Sequence, residues 1–223
     1  IAFQGEKGAY SHIACEEIYK STEIINCATF EETFRIAFED ENIKAIIPLE
    51  NSLAGRVADI HYLLPKYKLQ IYGEHFQKVE HCLLGKQDAV IKDIKYVRSH
   101  AQAIGQCQNI IKKNNFKSIV SADTAGSAKD LAESKDKSVA AIASELAAKI
   151  YSLKILEKNI EDETGNVTRF LIMGKNVNQP PYEQNKKYIT TCIFRLKSEP
   201  SALYKSLGGF ATNQINLTKL ESF

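Results

Sequence analysis

The chain has 223 residues, a formal net charge of +2, 44% hydrophobic residues and 25% charged ones. This is the composition of a globular protein of one large or two modest domains, with no strong field to favour nucleic acid or a membrane surface as partner. Apolar runs are too short to cross a bilayer, lysines are scattered rather than striped, and the opening Ile1-Ala2-Phe3-Gln4-Gly5 lacks the regions of a secretory signal. The strand-like opening leads us to expect that little precedes Ile1. Five cysteines (Cys15, Cys27, Cys82, Cys107 and Cys192) are an odd count without Cys-x-x-Cys spacing. That pattern fits reduced, partly buried thiols in a reducing cytoplasm rather than a disulfide framework or a zinc site.

Short apolar strands alternate with helical patterns along the chain. Strands are expected at 1–3, 28–30 and 44–49, at 69–75 and 78–84, and helices at 8–19, 31–39 and 52–64. Ile13, Ala14 and Ile18 set the first helical face, and Phe34, Ala37 and Phe38 the second. The alternation continues with strands at 96–98, 117–120, 139–142 and 170–173 and helices at 101–113, 124–133 and 144–151. Strands and helices of this length in alternation predict an α/β protein with mixed sheets. Residues 177–187 are polar, contain Pro180-Pro181 and read as a linker. A β-α-β piece is expected beyond it, with strands at 188–196 and 215–220 and a helix at 201–211. It is too small to bury a core alone.

Chemistry is expected where strands give way to helices. Five such transitions carry small polar residues: Gly8-Ala9-Tyr10-Ser11, Glu50-Asn51-Ser52, Ser99-His100-Ala101-Gln102, Asp123-Thr124-Ala125-Gly126-Ser127 and Ala143-Ser144. Ligands of α/β sheets bind beyond the carboxyl ends of the strands, and helix N-termini favour anions. The same residues are also ordinary helix caps, contributing about 1 kcal/mol each. Thr168 and Arg169 stand together before the apolar run Phe170-Leu171-Ile172-Met173, a hydroxyl and a fixed cation suited to a small anion. Glu50, at the end of a buried strand, is placed to hold Arg169 or to act as an acid, and His100 is the histidine best placed for a cleft. There is no Gly-x-Ser-x-Gly elbow and no Gly-rich phosphate motif.

The ordered set of segments 8–11, 48–57, 81–84, 99–102, 123–128, 140–144 and 166–170 resembles the prephenate dehydratase family, in register over residues 1–174. Pro200-Ser201-Ala202-Leu203 and Leu217-Thr218-Lys219-Leu220-Glu221-Ser222 resemble the phenylalanine-binding motifs of the ACT domain that follows in that family. The resemblance implies a catalytic region over 1–176 with two α/β subdomains like the periplasmic-binding-protein type 2 fold. One subdomain would be 1–77 with 168–176, the other 78–167, followed by the linker at 177–187. An α+β, ferredoxin-like ACT domain, incomplete here, would occupy 188–223.

It further implies decarboxylative dehydration of prephenate to phenylpyruvate in L-phenylalanine biosynthesis, without cofactor or metal. Thr168, Arg169 and Glu50 would be catalytic. Ser11, Asn51, Ser52, Ser99, His100, Gln102, Thr124 and Phe170 would bind substrate. Ala202, Leu203, Leu220, Glu221 and Ser222 would bind L-phenylalanine as feedback effector, in a cytoplasmic homodimer or homotetramer. Several positions depart from the family pattern: Ala101 replaces Pro, Ala9 stands where Thr is common, Ser201 replaces Gly and Phe223 follows Glu221-Ser222. Arogenate dehydration and non-catalytic capture of a small anion are the alternative readings.

Overall fold

The structure, a computed structural model, describes residues 1–20, 22–176 and 181–222, so the first four residues of the expected linker lie outside it. The chain divides into two compact units, Ile1–Gln179 and Pro180–Phe223.

The first unit is mixed α/β, built on two sheets. The first sheet has the order β2 (Ile25–Cys27), β1 (Ala2–Gln4), β3 (Ala45–Asn51), β11 (Val167–Gly174) and β5 (Gln70–Lys78), with β4 (Gly55–Arg56) hairpinned onto β3. The second has the order β10 (Lys154–Lys158), β6 (Cys82–Gly85), β9 (Val139–Ala143), β7 (Tyr96–His100) and β8 (Lys117–Ser121). Strands β1, β2 and β3 run parallel, as do β7, β8 and β9, while β11 is antiparallel to both its neighbours.

The central strands of each sheet are covered on both faces, so they are apolar on both sides. On one face of the first sheet α2 (Phe30–Glu39) and α3 (Ala58–Tyr67) pack Phe34 and Ile60 onto Ile47, Leu171 and Met173. On the other, α1 (Tyr10–Ile18) packs Ala14 and Cys15 onto Phe3, Ile46 and Phe170. In the second sheet α4 (Ala101–Gly105) and α5 (Gln108–Lys113) cover one face, and α6 (Thr124–Glu133) and α7 (Glu145–Ile150) the other. Pro48 is tolerated in the interior strand β3 because β1 pairs only with Ala45 and Ile46, and the β11 ladder bulges between Pro48 and Glu50.

Several expectations shift for local reasons. The strand expected at 28–30 lies at Ile25–Cys27, because Thr29 caps α2: its Oγ1 accepts from Glu32 N at 3.1 Å. The helix expected from Ser52 begins only at Ala58. Asn51 Oδ1 accepts from Leu53 N at 3.0 Å and Ala54 N at 2.8 Å, a local turn that competes with helix, and Gly55 at φ +81° carries the return into β4. The helix expected over 101–113 breaks at Gln106–Cys107, where Asp162 caps α5 through Gln108 N (2.8 Å) and Asn109 N (2.9 Å). Strand β10, bulged between Ile155 and Glu157, was not expected from its charged pattern.

The second unit carries one helix, α8 (Ala202–Thr212), and no strand among its described residues. The strands expected at 188–196 and 215–220, and with them the α+β ACT fold, are therefore not observed. A strand is stable only when its backbone groups find a paired neighbour, and neither run pairs with another here. Ala202 and Leu203 open α8, and Leu203 and Leu220 are about half exposed, at 48% and 49%. Glu221 and Ser222 are also exposed.

Phe170, expected to line a cleft, is 1% exposed and belongs to the core beneath α1. Strand alternation puts its ring on the same face as that of Ile172, where apolar neighbours fill the space. Replacing Phe170 with Ala is expected to lower the unfolding free energy by roughly 3–5 kcal/mol in urea titrations, the usual cost of deleting a buried aromatic.

Candidate active site

The carboxyl ends of the parallel strands of both sheets meet at one boundary. Gly8, in the loop after β1, packs so tightly on α7 that a Cβ there would stand 2.7 Å from Ala147 Cα, and its φ of +92° favours glycine. Ser144 Oγ donates to Gly8 O at 2.6 Å and accepts from Ala147 N at 3.0 Å, so one hydroxyl caps α7 and joins the two halves. Tyr151 Oη donates to Lys7 O at 2.9 Å, and Lys129 pairs with Glu6 at 3.2 Å. Three of the five polar transitions thus act as caps: Ser144, Asp123 on α6, and His100, whose Nδ1 accepts from Gln102 N at 3.3 Å.

The chain passes from the first sheet to the second just after β5 and returns just before β11. The two crossing segments are tied together by Val79 N donating to Asn166 O at 2.8 Å. A continuous polar chain runs through this point. Asn51 Nδ2 donates to Thr168 Oγ1 at 2.9 Å and to Asn166 Oδ1 at 2.6 Å. Asn166 Nδ2 donates to Gln106 Oε1 at 3.0 Å, His81 Nε2 lies 3.0 Å from the same oxygen, and Tyr10 Oη lies 2.8 Å from His81 Nδ1. Asn166 and His81 are 1% and 2% exposed, so these bonds replace water the groups cannot reach. Ser52 joins the edge of the chain, its Oγ accepting from Val167 N at 3.0 Å.

Arg169 takes the other side of the strand. Thr168 stands opposite Asn51 and Arg169 opposite Glu50, and successive side chains leave opposite faces of β11. Its guanidinium bonds Glu50 at 3.1 Å through Nη1, and Glu74 at 2.8 Å through Nε and 2.7 Å through Nη2. The cation expected to meet a substrate carboxylate is engaged by two protein carboxylates, one of them Glu50.

The remaining expected residues separate. Ser99 is fully buried and donates to Ile142 O at 2.7 Å, a bond between neighbouring strands. Ser11 and Thr124 are half-buried in the first turns of α1 and α6, and Gln102 is exposed at the start of α4. Gln106, Asn166, His81 and Tyr10 were not expected as site residues from the sequence. The available signal was that Tyr10, His81 and Asn166 sit inside the segments that carry the resemblance. Cys107 is fully buried, and burial pushes its thiol well up, against thiolate formation. Burial likewise pushes Cys15 up to about 12. No helix of the described residues is long and apolar enough to cross a membrane.

A polar site at the carboxyl ends of two α/β sheets is the arrangement of a small-molecule binding site. The family model described as prephenate dehydratase matches residues 1–178, and the chain belongs to that family of enzymes. It is 43% identical over 224 residues to a bifunctional N-acyl-homoserine lactone acylase/prephenate dehydratase of Komagataeibacter europaeus, covering all of this chain and 79% of that protein. It is 40% identical over 222 residues to the chloroplastic arogenate dehydratase/prephenate dehydratase 2 of Arabidopsis thaliana, again over the whole chain but only 58% of that protein. Among solved structures, one described as GqqA, a novel type of quorum quenching acylase, superposes with a TM-score of 0.87 at 40% identity, over 100% of this chain and 80% of that one.

The histidines give the fold a pH dependence. Burial is the leading cause that holds both His81 and His12 below the ordinary histidine value of 6.5. The unfolded chain therefore binds more protons than the native one as pH falls through that value, and the stabilisation present above it is lost on acidification. Unfolding free energy from urea titrations is expected to decline as pH drops below 6.5, with a shallower decline in His81→Gln.

Proposed function

We propose that the chain carries out the decarboxylative dehydration of prephenate to phenylpyruvate. The observation that carries this reading is the state of the Thr168 hydroxyl. Its oxygen accepts from Asn51 Nδ2 at 2.9 Å, so its own hydrogen is available for a reactant. In the reaction the ring carboxylate leaves as carbon dioxide and its bonding pair moves into the ring. The ring becomes aromatic as the carbon–oxygen bond to the hydroxyl breaks, and the departing oxygen takes up a proton to leave as water. Thr168 donates a hydrogen bond to that oxygen as charge grows on it, an interaction stronger in the transition state than in the ground state.

Asn51 fixes the hydroxyl, and Arg169, clamped by Glu50 and Glu74, secures β11 beside it. Ser11, His100, Gln102 and Thr124, none of them buried, are the residues we assign to substrate contacts. This reading locates the work in two subdomains, 1–77 with 168–176 and 78–167, in the manner of a two-lobed binding protein. Arogenate is the second candidate substrate, since the Arabidopsis relative carries both names. The resemblance of residues 200–203 and 217–222 to phenylalanine-binding motifs supports L-phenylalanine as effector.

Turnover of prephenate, followed as phenylpyruvate formation with arogenate run beside it, tests the reading. Thr168→Val keeps the shape and removes the donor, so its kcat should fall about 100-fold, the scale of losing one aimed donor. Thr168→Ser should recover much of it. Wild-type turnover in Thr168→Val would remove the hydroxyl from the mechanism, and phenylalanine titrated into the same assay reads feedback.

A further inference from the structure

We propose that His81 is a positioning residue for Thr168, setting the direction of the hydrogen-bond chain that leaves the threonine proton free; this rests on the dehydratase reading above. The direction can be followed bond by bond. Asn51 Oδ1 accepts two backbone amides, Leu53 N and Ala54 N, and this fixes which end of the amide faces Thr168. The Nδ2 group then has two hydrogens, and its near acceptors are Thr168 Oγ1 and Asn166 Oδ1, with Val167 O more distant at 3.4 Å. Asn166 must present Nδ2 to Gln106, so Gln106 must present Oε1. His81 Nε2, 3.0 Å from that oxygen, must therefore carry a hydrogen.

The opposite tautomer would set a lone pair against Gln106 Oε1. Relieving that by turning the Gln106 amide would bring two donors together at Asn166. Turning Asn166 and then Asn51 would forfeit both backbone bonds and point an oxygen at Thr168. The threonine would then have to spend its own hydrogen on Asn51 and would have none for a leaving group.

His81 is held firmly in place beside Gln106. Its ring is 2% exposed, its amide donates to Glu161 Oε2 at 2.9 Å, and its carbonyl accepts from Ile160 N at 3.0 Å. The Tyr10 hydroxyl, on α1, donates to Glu80 O at 2.7 Å with its oxygen 2.8 Å from His81 Nδ1, so a bare Nδ1 shares that one hydrogen with the carbonyl, while the Nε2 side of the ring serves Gln106. Burial leads the causes that raise the Tyr10 pKa, so this hydroxyl keeps its hydrogen.

Two measurements test the proposal together. Nitrogen-15 NMR of the wild-type imidazole at neutral pH should find Nε2 protonated and Nδ1 acting as an acceptor, a result independent of activity. His81→Leu removes the donor at similar size and should lower kcat about tenfold with KM within roughly twofold, the scale of one hydrogen bond lost from a buried chain. His81→Gln, whose side-chain amide can donate toward Gln106, should restore most of kcat. A merely structural histidine would not give this split between kcat and KM, nor rescue by an amide.

A protonated Nδ1 with bare Nε2, or wild-type kcat in a folded His81→Leu, would overturn the proposal. If His81→Leu does not fold, the NMR result and His81→Gln decide it. If the wild type turns over neither prephenate nor arogenate, the dehydratase reading fails, and the NMR result still decides the direction of the chain.

Discussion

Two backbone amides, those of Leu53 and Ala54, determine how the centre of this molecule is wired. Both donate to the side-chain oxygen of Asn51 at the end of β3. A carboxamide has two nearly isosteric ends, and only its partners decide which end points where. Once the oxygen is spoken for by the backbone, every later donor and acceptor in the chain from Asn51 to His81 has one consistent assignment. A buried polar chain of this kind is costly when half satisfied and specific when complete. Here it runs from Thr168 to His81, and the Tyr10 hydroxyl closes it with one hydrogen between His81 Nδ1 and Glu80 O.

The same strand separates two kinds of chemistry by alternation alone. From β11, Thr168, Phe170 and Ile172 face α1, and Arg169, Leu171 and Met173 face the opposite side. The hydroxyl thereby lies on the face opposite the Arg169 cluster with Glu50 and Glu74, and the charge cluster sits where it can tie three adjacent strands together. The crossing segments work in a similar way. Because Val79 and Asn166 are bonded to each other, the place where the chain changes sheets is also where residues from both sheets converge. His81, Gln106 and Asn166 lie just outside the strands and helices that flank them, so the ends of those elements set their positions.

Much of the architecture was legible from the chain alone, because burial on both faces of a sheet leaves apolar runs such as Ala45-Ile46-Ile47 and Phe170-Leu171-Ile172-Met173 that stand out from their surroundings. The elements that were misjudged are those whose ends depend on distant partners. Gln106 looks like the middle of a helix, and the helix breaks there because Asp162, more than fifty residues away, caps the next one. Ser52 looks like the start of a helix, and Asn51 closes a turn over it instead. In the second unit the apolar alternation from Tyr188 onward resembles a strand, yet no neighbour pairs with it.

The sequence by itself determined the alternation of strands and helices and the family. These follow from local pattern and from motifs a few residues long. Only the tertiary structure decided that Ser99 and Phe170 turn inward, that Arg169 is claimed by Glu50 and Glu74, and that Gln106, Asn166 and His81 stand between Thr168 and Tyr10. The reason is physical. Which groups satisfy a buried donor or acceptor depends on the register of strands and the meeting of two sheets, and residues 51, 81, 106 and 166 share no local pattern that records it.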